Sequence, residues 1–126
     1  MSYKAMVVDD SMLIRHTVCR VLEDRGFHVE SATNGLEALE ILATFEPNII
    51  LTDLEMPKMD GYGFMAALKQ DAKTASIPLV ILAGRQSAEK PCQDCARWVI
   101  YKDIDIVGQL RRAVETILLV NAVQPL

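Results

Sequence analysis

No stretch of this 126-residue chain approaches the roughly 18 consecutive apolar residues that a membrane-spanning helix needs. The opening Met1-Ser2-Tyr3-Lys4 lacks the basic and apolar segments of a signal peptide, so a cytoplasmic location is expected. Cysteine is scarce: three residues, an odd number without a secretion signal, do not make a disulfide framework and suit a reducing compartment. Basic residues are also few. With 13 Lys and Arg against 17 Asp and Glu the net charge is -4, which disfavours a nucleic-acid binder and directs the expectation to protein partners. Internal repeats, low-complexity tracts and linkers are missing. The length and a 51% hydrophobic content fit a single domain, expected over residues 1–120 with a short tail at 121–126.

What is present is an alternation of short apolar runs with longer stretches of helical period, the signature of a parallel sheet with helices on both faces. Lys4 to Val8 reads as a first strand. From Ser11 to about Arg25, Ile14, Val18, Val21 and Leu22 share a helical stripe that Gly26 ends. A short strand from His28 to Ala32 follows, and Asn34 is placed to cap a helix carrying Leu36, Leu39 and Leu42. Ile49 to Asp53 is the third strand. Met56-Pro57 and Asp60-Gly61 shape the loop after it and start a helix through Phe64, Met65 and Leu68. Leu79 to Leu82 and Trp98 to Tyr101 are strands four and five. The polar stretch between Gly84 and Arg97, interrupted by Pro91, predicts a short or disordered fourth helix. Val107, Leu110, Val114, Ile117 and Leu118 predict the last helix. Met6, Met12, Met65, Phe27 and Phe64 are expected in the core.

Three carboxylates fall at strand ends: Asp9 and Asp10 after the first, and Asp53 closing the third. Ligands of open α/β sheets bind at those ends. Crowded acids repel one another, and a divalent cation is the natural way to keep them ionised together; magnesium, which prefers oxygen ligands, fits. Each residue taken singly has a plainer explanation. Adjacent aspartates can cap a helix, Asp53 can belong to a turn, and Lys102 can be a solvated lysine.

Val7-Val8-Asp9-Asp10-Ser11, then Leu51-Thr52-Asp53-Leu54-Glu55-Met56-Pro57-Lys58-Met59-Asp60-Gly61, then Lys102 together resemble the receiver domains of bacterial two-component response regulators, of the single-domain chemotaxis type. The resemblance implies a flavodoxin-like, doubly wound, five-stranded parallel sheet of order 2-1-3-4-5, with two helices on one face and three on the other. It implies Asp53 as phosphoacceptor and Mg2+ as cofactor, held by Asp10, Asp53 and the backbone carbonyl of Glu55, with Asp9 acting partly through water. Lys102 would pair with the phosphoryl group. The implied partners are a sensor histidine kinase or phosphotransfer protein and an unknown downstream protein, with the chain a monomer or weak dimer. Such a domain supports its own phosphorylation and dephosphorylation and is not a turnover enzyme for other substrates.

The departures from the family are at the switch positions. Ala83 stands at the end of strand four, where receivers place a Thr or Ser, and Val99 stands where a switch aromatic is usual. Trp98, one residue earlier, is expected on the opposite face of its strand. Asp103 replaces the usual proline after the lysine, and the 18 residues between Ala83 and Lys102 are fewer than usual. Glu55 and Arg85 occupy positions that tune phosphoryl lifetime in the family and could pair over the site. Cys92-Gln93-Asp94-Cys95 has the spacing of a redox or zinc half-site but no second pair of ligands, and reads first as incidental thiols, with a regulatory disulfide as the lesser alternative.

Two functions stay open at this point. The first is a phosphorylatable receiver relaying a kinase signal through a protein interface. The second is a receiver-fold interaction module with weak or vestigial switching, for which Ala83 and Val99 argue.

Overall fold

The short apolar runs of the interior strands are buried on both faces. The computed structural model describes residues 3–83, 98–102 and 105–123, with side chains through Ile117 in the last helix. It places β1 at Tyr3–Val8, α1 at Met12–Asp24, β2 at Phe27–Ala32, α2 at Gly35–Leu42 and β3 at Ile49–Asp53. After these come α3 at Gly61–Gln70, β4 at Leu79–Ala83, β5 at Trp98–Tyr101 and α4 at Ile106–Val123. The strands form one parallel sheet in the expected order, β2-β1-β3-β4-β5.

Side-chain alternation in β1 shows how the layers are built. Ala5 and Val7 face the cluster that α1 and α4 cover with Val18, Leu22, Leu110, Val114 and Ile117. Met6 and Val8 face the other side, against Ala38 of α2 and Phe64 and Leu68 of α3. Residues 5 to 8 are all fully buried. Burying each larger side chain contributes about 1.5–3 kcal/mol, so a charged residue at Val7 would be enough to break the sheet centre. Among the described residues two helices cover each face. The helix expected between Gly84 and Arg97 lies outside them.

Local chemistry sets the helix ends. The Ser11 hydroxyl accepts from Ile14 N, Asn34 from Glu37 N and Asp60 from Gly63 N, each satisfying a first-turn N–H. Gly26 closes α1 with a φ of 90°, a conformation that costs glycine nothing. Since Ser11 caps α1, the acids before it are not its capping residues. Trp98 packs with the α1 and α4 cluster while Val99 and Tyr101 pack on the opposite face, as alternation requires.

Some positions differ from the sequence reading. Met12, expected in the core, is 75% exposed, and Leu36 is 45% exposed. Both sit in a first turn, off the buried stripes set by Val18 and Leu22 in α1 and by Ala38 in α2. The last helix runs to Val123.

Candidate functional site

The interior strands β1 and β3 are hydrogen-bonded neighbours, with Val8 opposite Thr52, so their carboxyl ends deliver Asp9, Asp10 and Asp53 to one place. This is where the strand order reverses, the switch point of an open α/β sheet. Ligand oxygens of the three acids lie within 4.8 Å of one another. β5 brings a cation to them from the edge: Lys102 Nζ stands 2.8 Å from Asp9 Oδ2 and 3.0 Å from Asp53 Oδ1.

Asp9 and Asp53 are held by the backbone around them. Asp9 is fully buried; its N–H donates to Ala32 O at 3.1 Å, its Oδ1 accepts from Ser11 N at 2.8 Å, and its carbonyl accepts from Arg15 Nη1 at 2.8 Å. Asp53 Oδ1 accepts from Leu54 N at 2.8 Å and from Glu55 N at 3.4 Å. Thr52, also buried, donates its hydroxyl to the Asp53 carbonyl. Asp10 is exposed beside them. The loop after β3 folds tightly onto this strand end. Gly61 N donates to Leu54 O at 2.9 Å, and a Cβ on Gly61 would fall 2.7 Å from Leu54 Cα and closer still to the Asp53 carbonyl oxygen.

Three carboxylates against one ammonium leave the pocket with excess negative charge. Burial, and then the neighbouring charge of Asp9, raise the Asp53 pKa above the usual carboxylate value, while Lys102 opposes the rise. Burial works to lower the Lys102 pKa, but the nearby carboxylates of Asp9 and then Asp53 outweigh it and leave it raised. Asp9 Oδ2 is near the ammonium, yet accepts no hydrogen bond of good geometry. The three acids form a cluster that could hold a hard cation with oxygen preference.

The altered switch positions lie at one side of this pocket. Ala83 is 1% exposed, paired with Tyr101 across the sheet, and packed with Leu54, Met65 and Ile81. No hydroxyl is offered at the end of β4. Val99 packs in the same apolar cluster. Glu55 is exposed at the rim; Arg85, Cys92, Cys95 and Asp103 lie outside the described residues. Sequence reasoning missed Arg15, whose guanidinium secures the Asp9 carbonyl from the first turns of α1, and the close approach of Gly61 to Asp53. The only advance signal for either was a glycine directly following a helix-capping aspartate.

An open parallel sheet of this order, with acids at its switch point and a lysine arriving from the edge strand, defines a receiver domain. The chain belongs to the response regulator receiver domain family, whose model matches residues 5–115. It is similar to Protein PilG of Pseudomonas aeruginosa, 39% identical over 82 residues that cover 65% of this chain and 61% of PilG. It is also similar to part of the sensor histidine kinase CheAY of Helicobacter pylori, 39% identical over 85 residues that cover 66% of this chain and 11% of the kinase. The chain thus spans less than two thirds of the length of the curated relatives it matches. Among solved structures, the chemotaxis response regulator CheY4 of Vibrio cholerae superposes with a TM-score of 0.83 at 29% identity, covering 93% of this chain and 99% of that one. The protein is a receiver domain of two-component signalling, with an acidic pocket typical of a phosphoacceptor site. Receiver domains are signalling modules and not turnover enzymes. No helix among the described residues is long and apolar enough to cross a membrane.

Proposed function

We propose that Asp53 is the phosphoacceptor, and that Mg2+ is held by Asp10, Asp53 and the backbone carbonyl of Glu55, with Asp9 acting through a water. The observation that carries this reading is the approach of Lys102 Nζ to Asp53 Oδ1, 3.0 Å, within a set of acids whose oxygens lie inside 4.8 Å. The donor set suits the ion because it is all oxygen, carries excess negative charge and includes the buried Asp9 Oδ2. When bound, magnesium supplies positive charge beside the transferred phosphoryl group.

The residues divide the remaining work. Asp53 Oδ1 is engaged by Leu54 N and Lys102, so we assign Oδ2 as the attacking atom. The new oxygen–phosphorus bond forms as the bond from phosphorus to the donor breaks, and its electron pair leaves with the donor group. Lys102 then faces a phosphoryl oxygen as a compact point charge. The donor is a phosphohistidine on a sensor histidine kinase or phosphotransfer protein, or a small acyl phosphate. The likeness to part of the kinase CheAY supports that class of partner. Output passes through a protein surface to a downstream partner in the cytoplasm.

The apolar burial of Ala83 supports a second reading, an interaction module whose phosphorylation couples weakly to shape. Incubation with magnesium and a small acyl phosphate, followed by intact mass and amide exchange, separates the two. A phosphoryl adduct that Asp53→Asn abolishes supports the acceptor, and changed exchange in β5 and α4 supports a working switch. An adduct without that change favours the second reading, and no adduct at all removes the first.

A further inference from the structure

Among the described residues, β5 is the edge strand of the sheet, only four residues long, and pairs with β4 alone. The last residues of such a strand fray readily, because their outward N–H and C=O groups have no ladder partner. Lys102 follows directly on that end, and its own N–H donates to Ala83 O at 2.9 Å. Its ammonium must nonetheless reach two acids at hydrogen-bonding distance.

The outward groups of Tyr101 are taken by one side chain. Tyr101 N donates to Gln109 Oε1 at 3.0 Å, and Gln109 Nε2 donates to Tyr101 O at 2.8 Å. The primary amide thus offers the edge strand the donor and acceptor that a sixth strand would have offered. Gln109 is itself anchored. Asp105, with a φ of 36°, caps α4 by accepting from Gly108 N at 3.1 Å, and Asp105 O accepts from Gln109 N at 3.0 Å. The next residue, Leu110, is fully buried, and Val114 and Ile117 continue the same buried stripe. A rigid path runs from the core through α4 and Gln109 to the residue that carries the lysine.

We propose that Gln109 is a positioning residue for Lys102, its amide clamping the Tyr101 backbone and so fixing the point from which the ammonium reaches Asp9 and Asp53. The proposal rests on the reading of Asp53 as phosphoacceptor. A carboxamide is required because both a donor and an acceptor are used; a glutamate would set a carboxylate against the Tyr101 carbonyl, and a leucine would leave both groups open.

The test follows phosphoryl adduct formation from a small acyl phosphate across a magnesium titration, with amide exchange at Tyr101 read in parallel. The full chain is compared as wild type, Gln109→Leu, Gln109→Glu, Lys102→Ala and the Lys102→Ala, Gln109→Leu double variant. Misplacing a reacting group by about 1 Å can cost on the order of 100-fold, so Gln109→Leu is expected to lose about 10- to 100-fold in the saturating rate and to exchange its Tyr101 amide faster. The magnesium midpoint does not rise, because the acids stand at the ends of β1 and β3 and only the lysine that pairs with them is displaced. In the Lys102→Ala background the same substitution causes no further loss of rate. Gln109→Glu, which keeps one of the two bonds, loses rate as well and carries the test if Gln109→Leu does not fold. Faster Tyr101 exchange at an unchanged rate overturns the proposal. So does a loss that persists in full without Lys102, or one in which the magnesium midpoint rises as the rate falls. A wild type that takes no phosphoryl group sinks the acceptor reading and this inference with it, whereas an adduct on the wild type confines any failure to the inference.

Discussion

Lys102 Nζ lies 2.8 Å from Asp9 Oδ2, and Asp9 is buried completely while the lysine side chain keeps 17% of its exposure. The pair is the counterweight to three crowded acids, and it makes the site's charge a matter of stability as well as chemistry.

Lys102→Met therefore leaves two buried carboxylates without their cation. Breaking such a pair costs about 3 kcal/mol, and urea denaturation at neutral pH is expected to show a loss of that order in metal-free protein. Added magnesium should restore part of it. A midpoint unmoved by the substitution would mean that solvent already screens the acids.

Asp53→Asn is expected to act in the opposite direction. The folded protein raises the Asp53 pKa through burial and the Asp9 charge. The unfolded chain then ionises first, so this stabilising contribution is complete below the ordinary carboxylate range and is lost as pH rises through the folded value. The asparagine variant escapes that loss. Its melting temperature without metal should exceed that of the wild type at neutral pH, the gap narrowing towards acid and on adding magnesium. A gap constant with pH would contradict this.

Gly61→Ala tests the fit of the loop to the strand end. The new methyl group would press on Leu54 Cα and the Asp53 carbonyl, and because backbone yields less than a flexible side chain, a loss of about 1–3 kcal/mol is expected. Thermal melting by circular dichroism measures it. A neutral result would show that the loop moves freely away from Asp53.

Ala83→Ser returns a hydroxyl to the end of β4. In the resting protein that hydroxyl enters an apolar cluster, and leaving it unpaired costs about 1–3 kcal/mol. Under the proposed function the same group gains a phosphoryl oxygen as acceptor. The variant should be less stable than the wild type at rest, yet show a larger change in β5 and α4 amide exchange on phosphorylation. An equal exchange response in the two proteins would mean that Ala83 is not what limits coupling.

Much of the fold was legible before any coordinates because its signals are local. Apolar runs, the capping Asn34 and the stop at Gly26 each act within a few residues. The strand order came from the family resemblance. Met12 was misread because hydrophobicity alone does not give helical phase: six residues before Val18, a spacing that is not a whole number of turns, it falls off the Val18 and Leu22 stripe and points to solvent. The role of Arg15 and the clamp of Gln109 on Tyr101 were out of reach for another reason. Both join a side chain to the backbone of a different element, and nothing in residue type announces such a partner.

What the sequence determined by itself is the parallel α/β class, the three acids at strand ends, and the absence of a hydroxyl at position 83. These follow from periodicity and residue identity, which need no knowledge of distance. The tertiary structure alone decided that Asp9 and Asp53 share one lysine, that Gly61 leaves no room at the acid's own carbonyl, and that an amide from α4 secures the edge strand carrying Lys102. The physical reason is that these depend on separations of a few ångströms between segments remote in the chain, which only the packing of the whole sheet and its helices sets.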